Sequence, residues 1–105
     1  MKRIYVAGPY NANNVIGVLN NIHDGMKVCV QVLKDGNAPF CPWLDYQFHF
    51  FDKTLTIDDY YRYSMAWLEV SDEIWVLSTY NGSKSKGTKA EIERAMDLGI
   101  PVRYL

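Results

Sequence analysis

The chain has 105 residues, enough for one hydrophobic core, which predicts a single domain over residues 1–105. Its formal net charge of −1 provides no global attraction to nucleic acid or an anionic membrane, and an apolar content of 49% excludes a disordered chain. No apolar run is long enough for a membrane span or a secretory signal, so we expect a cytoplasmic protein without nucleic-acid or membrane partners.

The first part of the chain predicts two strands around one long helix. Arg3–Ala7 is a short β-rich run that Gly8 ends, which is typical of a strand. Apolar residues at helical spacing predict a helix over Val15–Lys34, and Gly36 closes it. Residues 38–41 predict a second strand. The apolar residues of the predicted helix are Val18, Ile22, Met26, Cys29, Val30 and Leu33.

The second part predicts two more helices and two more strands. A helix is expected over residues 56–70, because carboxylates follow a threonine that can cap it. Residues 73–78 indicate a strand buried on both faces. A helix over residues 88–98 and a final strand over residues 102–105 complete the chain. Residues 43–53 fit either a helical turn or an aromatic loop.

Alternation of strands and helices fixes the fold class. Strands joined through helices must run parallel, with right-handed crossovers, so we expect a small open α/β sheet of about four strands, Rossmann-like or flavodoxin-like. Such sheets bind ligands beyond the carboxyl ends of their strands. This rule selects Gly8, Pro9 and Tyr10 after the first strand, Trp43 after the second and residues 80–86 after the third.

The segment from residue 81 to residue 91 joins the third strand to the last helix. Its small residues expose backbone N–H groups at a helix start, and three lysines add positive charge. Ser85, Lys86, Gly87 and Thr88 are therefore candidates for an anion or phosphate cradle. A solvated, lysine-rich loop is the alternative.

Glu91 has two interpretations. Thr88 to Glu91 has the T-x-x-E pattern of a capping box, in which the glutamate accepts the Thr88 backbone N–H. Alternatively, a carboxylate in the first turn of a helix at the ligand edge is a candidate nucleophile for an electrophilic sugar carbon. Helical periodicity does not separate Glu91 from Glu93, and only its closeness to the preceding loop favours Glu91.

The aromatic side chains are concentrated in one part of the chain. Residues 40–67 contain most of the 3 Trp, 8 Tyr and 4 Phe of the chain. This segment is either core and subunit interface or a wall on which a nucleobase can stack. Because this segment carries more aromatic surface than four short strands can cover, we expect a homodimer or larger homo-oligomer with part of the segment at the contact.

Several motifs, in order along nearly the whole chain, resemble one known superfamily. They are IYVAGPY at residues 4–10, PFCP at 39–42, SDEI at 71–74, SKGT at 85–88 followed by Glu91, and GIPV at 99–102. Together they resemble the nucleoside 2-deoxyribosyltransferase-like superfamily, and most closely its short, mostly phage and bacterial members of the DUF4406 type. The superfamily also contains 2′-deoxynucleoside 5′-monophosphate N-glycosidases.

The resemblance implies an enzyme that cleaves or transfers the N-glycosidic bond of a 2′-deoxynucleoside or its 5′-monophosphate. Glu91 would attack C1′, Tyr5 would orient it, and Ser85 with the amides around Gly87 would hold a 5′-phosphate. No metal or cofactor is expected, and the partner is a small nucleoside or nucleotide, in the host cytoplasm if the gene is phage-encoded. The superfamily's helix aspartate falls on Ser64, which favours the alternative of a non-catalytic nucleotide-binding or nucleotide-signal-binding protein.

Overall fold

Four parallel strands form the centre of the computed structural model, which describes residues 1–81 and 84–105. The strands are β1 (Arg3–Ala7), β2 (Ala38–Phe40), β3 (Glu73–Val76) and β4 (Val102–Tyr104). Their order in the sheet is β2-β1-β3-β4, so β1 and β3 lie in the middle. The predicted open, all-parallel α/β sheet is confirmed, and β1, buried from Ile4 to Ala7, is its centre.

Helices connect the strands and cover both faces of the sheet. They are α1 (Val15–Lys34), α2 (Phe48–Phe51), α3 (Ile57–Glu69) and α4 (Lys86–Asp97), with short 3-10 helices at Pro42–Gln47 and Ser78–Tyr80. The segment that the sequence left open between loop and helical turn is thus helical. Within the described part of the chain, no helix combines the length and apolar character that crossing a membrane requires.

The core has two halves because side chains alternate along a strand. Ile4 and Val6 of β1 pack with α1 on one face of the sheet. Tyr5 and Ala7 point to the other face and pack with α3 and α4. Tyr5 therefore lies between the sheet and the two helices that also carry Ser64 and Glu91.

The structure corrects the predicted inner face of α1. The buried residues of this helix are Ile22, Gly25, Cys29 and Val32. Val30 and Leu33, expected in the core, are 53% and 61% exposed. Gly25 decides the orientation, because a Cβ there would overlap the Trp43 indole ring, which packs directly on the helix backbone.

Candidate functional site

Segments that follow the first two strands meet at the end of the sheet where the strands have their carboxyl ends, called here the carboxyl edge. The indole N–H of Trp43 donates a hydrogen bond to the Pro9 carbonyl at 3.0 Å. Asn21 Nδ2 of α1 donates to the Tyr10 carbonyl at 3.0 Å. A Cβ on Gly8 would lie 3.1 Å from Trp43, so the loop after β1 passes close to the segment after β2. The predicted Gly8, Pro9 and Tyr10 are therefore at the carboxyl edge.

Tyr5 is a wholly buried tyrosine in the middle of β1. Its ring packs on Phe40 of β2 with 5.2 Å between centroids. Its hydroxyl has no hydrogen-bond partner among the described residues. Burial raises the pKa of Tyr5 well above its ordinary value of 10.0, the neighbouring Glu91 carboxylate raises it further, and the Ser64 hydroxyl opposes both. Tyr5, Ser64 and Glu91 are thus neighbours.

Glu91 does not have the capping role that the T-x-x-E pattern predicts. α4 begins at Lys86 and its N-cap is Ser85, whose side chain accepts the Thr88 backbone N–H. Glu91 consequently lies in the second turn, beyond the reach of a capping box. Its Oε2 atom is buried and has no hydrogen-bond partner among the described residues.

The pKa of Glu91 is raised from 4.5 to about 7. Burial is the main cause, because it disfavours the charged form. The nearby Tyr5 hydroxyl lowers the pKa. The negative charge of Asp45 raises it. A carboxylate with this pKa changes its ionisation near neutral pH, as acid, base and nucleophile groups of active sites do.

In this half of the core, the Tyr5 hydroxyl and Glu91 Oε2 are both buried and lack hydrogen-bond partners among the described residues. A buried polar group without a hydrogen bond costs about 1–3 kcal/mol of stability, and natural proteins contain few of them. A recess in the described surface lies elsewhere, on the outer face of α1 beside Met26 and Val30. The candidate site at Tyr5 and Glu91 is therefore identified by its buried polar groups, whose desolvation lowers the stability of the fold.

Asp45 is a carboxylate of the site that the sequence analysis missed. It lies in the 3-10 helix after β2 and accepts a hydrogen bond from the Tyr63 hydroxyl of α3 at 3.0 Å. Burial raises its pKa, and the Tyr63 hydrogen bond lowers it. Asp45 also raises the pKa of Tyr10 and of Tyr60, whose buried hydroxyl has no partner among the described residues. Its place after a parallel strand was the available signal.

The residues of the predicted anion cradle lie at the start of α4. Ser85 Oγ lies 2.8 Å from Thr88 Oγ1, and Thr88 is buried, whereas Lys86 and Gly87 are exposed in the first turn. The atom nearest to a Cβ placed on Gly87 would be Glu91 Oε1, at 4.0 Å. A ligand at this helix start can therefore approach the Glu91 carboxylate. Residues 82 and 83 of the predicted loop lie outside the described residues.

Trp43 is in the core rather than on an open wall. Its side chain is 2% exposed, and its indole packs on Gly25 and Gly8. Its assignment as a stacking surface for substrate stays a prediction. Phe50 and Phe51 of the same aromatic segment are 76% and 90% exposed, so the segment contributes both core and open surface.

Residues 2–105 match a family model described as Domain of unknown function (DUF7768). No curated protein matches the chain. A solved 2-deoxyribosyltransferase from the psychrotolerant bacterium Bacillus psychrosaccharolyticus is similar, with 19% sequence identity and a TM-score of 0.64. The alignment covers 97% of this chain and 70% of the other.

That structural similarity confirms the fold of the superfamily that the motifs indicated. At 19% identity it shows the fold alone. The closer likeness to members of the DUF4406 type stays a prediction.

Proposed function

We propose that this chain, which belongs to the DUF7768 family, cleaves or transfers the N-glycosidic bond of a 2′-deoxynucleoside or its 5′-monophosphate. One observation carries the proposal: beside Tyr5, the Oε2 atom of Glu91 is buried without a hydrogen-bond partner among the described residues. The fold shared with a 2-deoxyribosyltransferase supports the substrate class.

The Glu91 carboxylate is the nucleophile in this proposal. One of its oxygens bonds to C1′ of the sugar while the C1′–N bond breaks and its electron pair leaves with the base. The transition state resembles an oxocarbenium ion, which a carboxylate stabilises. Water or a second base then attacks C1′ of the glycosyl ester and regenerates the carboxylate. A 2-deoxy sugar ionises readily because it lacks the electron-withdrawing 2′-hydroxyl.

Substrate contacts are proposed from the segments around the carboxylate. The 5′-phosphate is placed at the start of α4, where Ser85, Lys86, Gly87 and Thr88 provide backbone N–H groups and positive charge. Sugar and base are placed between Glu91 and the loop that ends at Tyr10. Tyr5 orients the carboxylate through its hydroxyl.

The test is release of free base from the four common 2′-deoxynucleosides and their monophosphates. Glu91→Gln should keep the fold and lose base release, because a neutral amide is a poor nucleophile and does not stabilise positive charge at C1′. Glu93→Gln is the matched control: it removes an exposed carboxylate two residues away on the same helix and should retain activity. Wild-type turnover that survives in Glu91→Gln contradicts the nucleophile assignment.

A second candidate is a non-catalytic protein that binds a nucleotide in the same site. The observation that favours it is Ser64, a hydroxyl beside Tyr5 where the superfamily has an aspartate. Monophosphate binding without base release from any substrate would support this alternative, and Ser64→Asp would then be the variant to assay for gain of activity.

A further inference from the structure

We propose that Asp45 is the second catalytic carboxylate of this site and transfers the proton between the leaving base and the attacking water. The proposal rests on the proposed function. It assigns to a residue after β2 the proton transfer for which Ser64, a hydroxyl without acidic character, is unsuited.

Two neighbouring residues of α3 connect Asp45 with Tyr5. Tyr63, which holds Asp45 at 3.0 Å, stands beside Ser64 in the sequence, and the Ser64 hydroxyl interacts with both Tyr63 and Tyr5. The Phe40 ring packs against both tyrosines, with its centroid 5.2 Å from that of the Tyr5 ring and 6.1 Å from that of the Tyr63 ring. This packing places Asp45 and Glu91 at two ends of one polar cluster, close enough for the charge of Asp45 to act on Glu91.

An unused donor beside Asp45 points to a ligand there. The Tyr60 hydroxyl is buried and lacks a hydrogen-bond partner among the described residues. Desolvation and the negative charge of Asp45 raise the pKa of Tyr60. The Tyr60 and Tyr63 rings are 6.4 Å apart, so their hydroxyls belong to the same cluster. A nucleobase or sugar hydroxyl that accepts from Tyr60 would lie next to the Asp45 carboxyl.

The chemistry balances with water as the second reactant. In the first step Glu91 bonds to C1′, the C1′–N electron pair moves to the base nitrogen, and that nitrogen takes the proton of the Asp45 carboxylic acid. In the second step Asp45 takes a proton from water as the water oxygen bonds to C1′ and the ester bond to Glu91 breaks. The products are free base and 2-deoxyribose or its phosphate, with both carboxyl groups restored.

One proton suffices for the pair of carboxyl groups. The charge of Asp45 raises the pKa of Glu91, so the pair gives up its last proton less readily than an isolated carboxyl group does. The reactive form is the one in which Glu91 is ionised and Asp45 is protonated. The titratable groups that face Asp45 are Tyr10, Cys41, Tyr60, Tyr63 and Glu91.

The test compares two leaving groups. 2′-Deoxyguanosine needs a proton on its departing base, whereas the base of 7-methyl-2′-deoxyguanosine is already cationic and departs neutral. Asp45→Asn should lower the rate of base release from the first substrate by about 10²-fold or more, the usual contribution of a general acid. From the second substrate the variant should release a rapid burst of base. Glu91→Gln should lose both.

The burst is expected because Asp45→Asn lacks the base that activates water. The glycosyl ester on Glu91 should accumulate and raise the protein mass by one deoxyribosyl group. Azide, a nucleophile that needs no base, should restore turnover and form the deoxyribosyl azide. A merely structural role of Asp45 predicts none of these effects.

Two matched variants test whether the carboxylic acid of Asp45 is itself required, as distinct from its hydrogen bond with Tyr63. Tyr63→Phe removes the hydrogen bond but keeps the acid, and Asp45→Glu keeps the acid on a longer arm, so both should retain a dependence on leaving group close to that of the wild type. If Asp45→Asn lowers the rate of base release equally for the two substrates and shows neither a burst nor azide rescue, this inference is wrong while the proposed function stands. No wild-type turnover overturns the proposed function and this inference together.

Discussion

The raised pKa of Glu91 predicts that this carboxylate destabilises the fold as pH increases. Its pKa is about 7 in the folded chain and near 4.5 when it is exposed. Below the lower value the carboxyl group is protonated in both states and has no effect. Between the two values the unfolded chain releases the proton and the folded chain keeps it, so unfolding becomes more favourable. Above the higher value the penalty is complete.

The size of this penalty follows from the two pKa values. The difference between about 7 and 4.5, at about 1.4 kcal/mol per pKa unit, gives about 3 kcal/mol. Glu91→Gln cannot ionise and escapes the penalty. The stability of this variant relative to the wild type should therefore increase by about 3 kcal/mol between about pH 4.5 and about pH 8.

Urea unfolding at fixed protein concentration, monitored by tryptophan fluorescence across this pH range, measures the effect. The informative quantity is the stability difference between the wild type and Glu91→Gln, followed as a function of pH. All other groups titrate in both proteins, so their effects cancel in this difference. Glu93→Gln should follow the wild type at every pH, since Glu93 is exposed. Wild-type and Glu91→Gln stabilities that differ by the same amount at every pH would refute the desolvation of Glu91.

Three further predictions follow from the structure. Tyr5→Phe removes a buried hydroxyl without a partner among the described residues, so urea unfolding at about pH 5, where Glu91 is protonated in the folded chain, should show unchanged stability or a gain of about 1 kcal/mol; a loss of that size contradicts the packing described. Calorimetry should show that a 2′-deoxynucleoside 5′-monophosphate binds more tightly than its nucleoside and that Ser85→Ala reduces the preference, whereas equal affinities exclude a phosphate site at α4. Light scattering should show a dimer or larger assembly that exposed residues such as Phe50 and Phe51 help to form, and a monomer at micromolar concentration contradicts it.

The sequence predicts the fold well where local signals are independent of distant contacts. The bounds of β1 and α1 agree with the prediction, and at the end of α1 the signal is the backbone of Gly36 itself. Gly36 indeed has a φ of 86°, which favours glycine. The inner face of α1 was predicted less well. Apolar residues surround much of this helix, so periodicity alone could not show that Gly25 would face the core beneath Trp43.

The candidate site was predicted in part. Tyr5 and Glu91 were selected through the resemblance, and the structure places them together. Asp45 was missed because it stands among aromatic residues whose local structure the sequence left open. Its place in the cluster depends on a hydrogen bond from Tyr63 and on the effect of its charge on Glu91, two residues that are distant in the sequence. Only the three-dimensional packing of α3 and α4 on β1 brings these groups to one place.

The way in which α4 begins explains why Glu91 is available for chemistry. A helix start leaves several backbone N–H groups without partners, and a nearby carboxylate usually satisfies one of them. Here Ser85 caps the helix and bonds to the buried Thr88, so the first turn does not need Glu91. The glutamate lies one turn further on, directed toward Tyr5, where burial rather than capping determines its pKa. The segment thus leaves a desolvated carboxylate beside a helix start suited to an anion, and the proposed nucleotide substrate, whose C1′ lies near its phosphate, requires this combination.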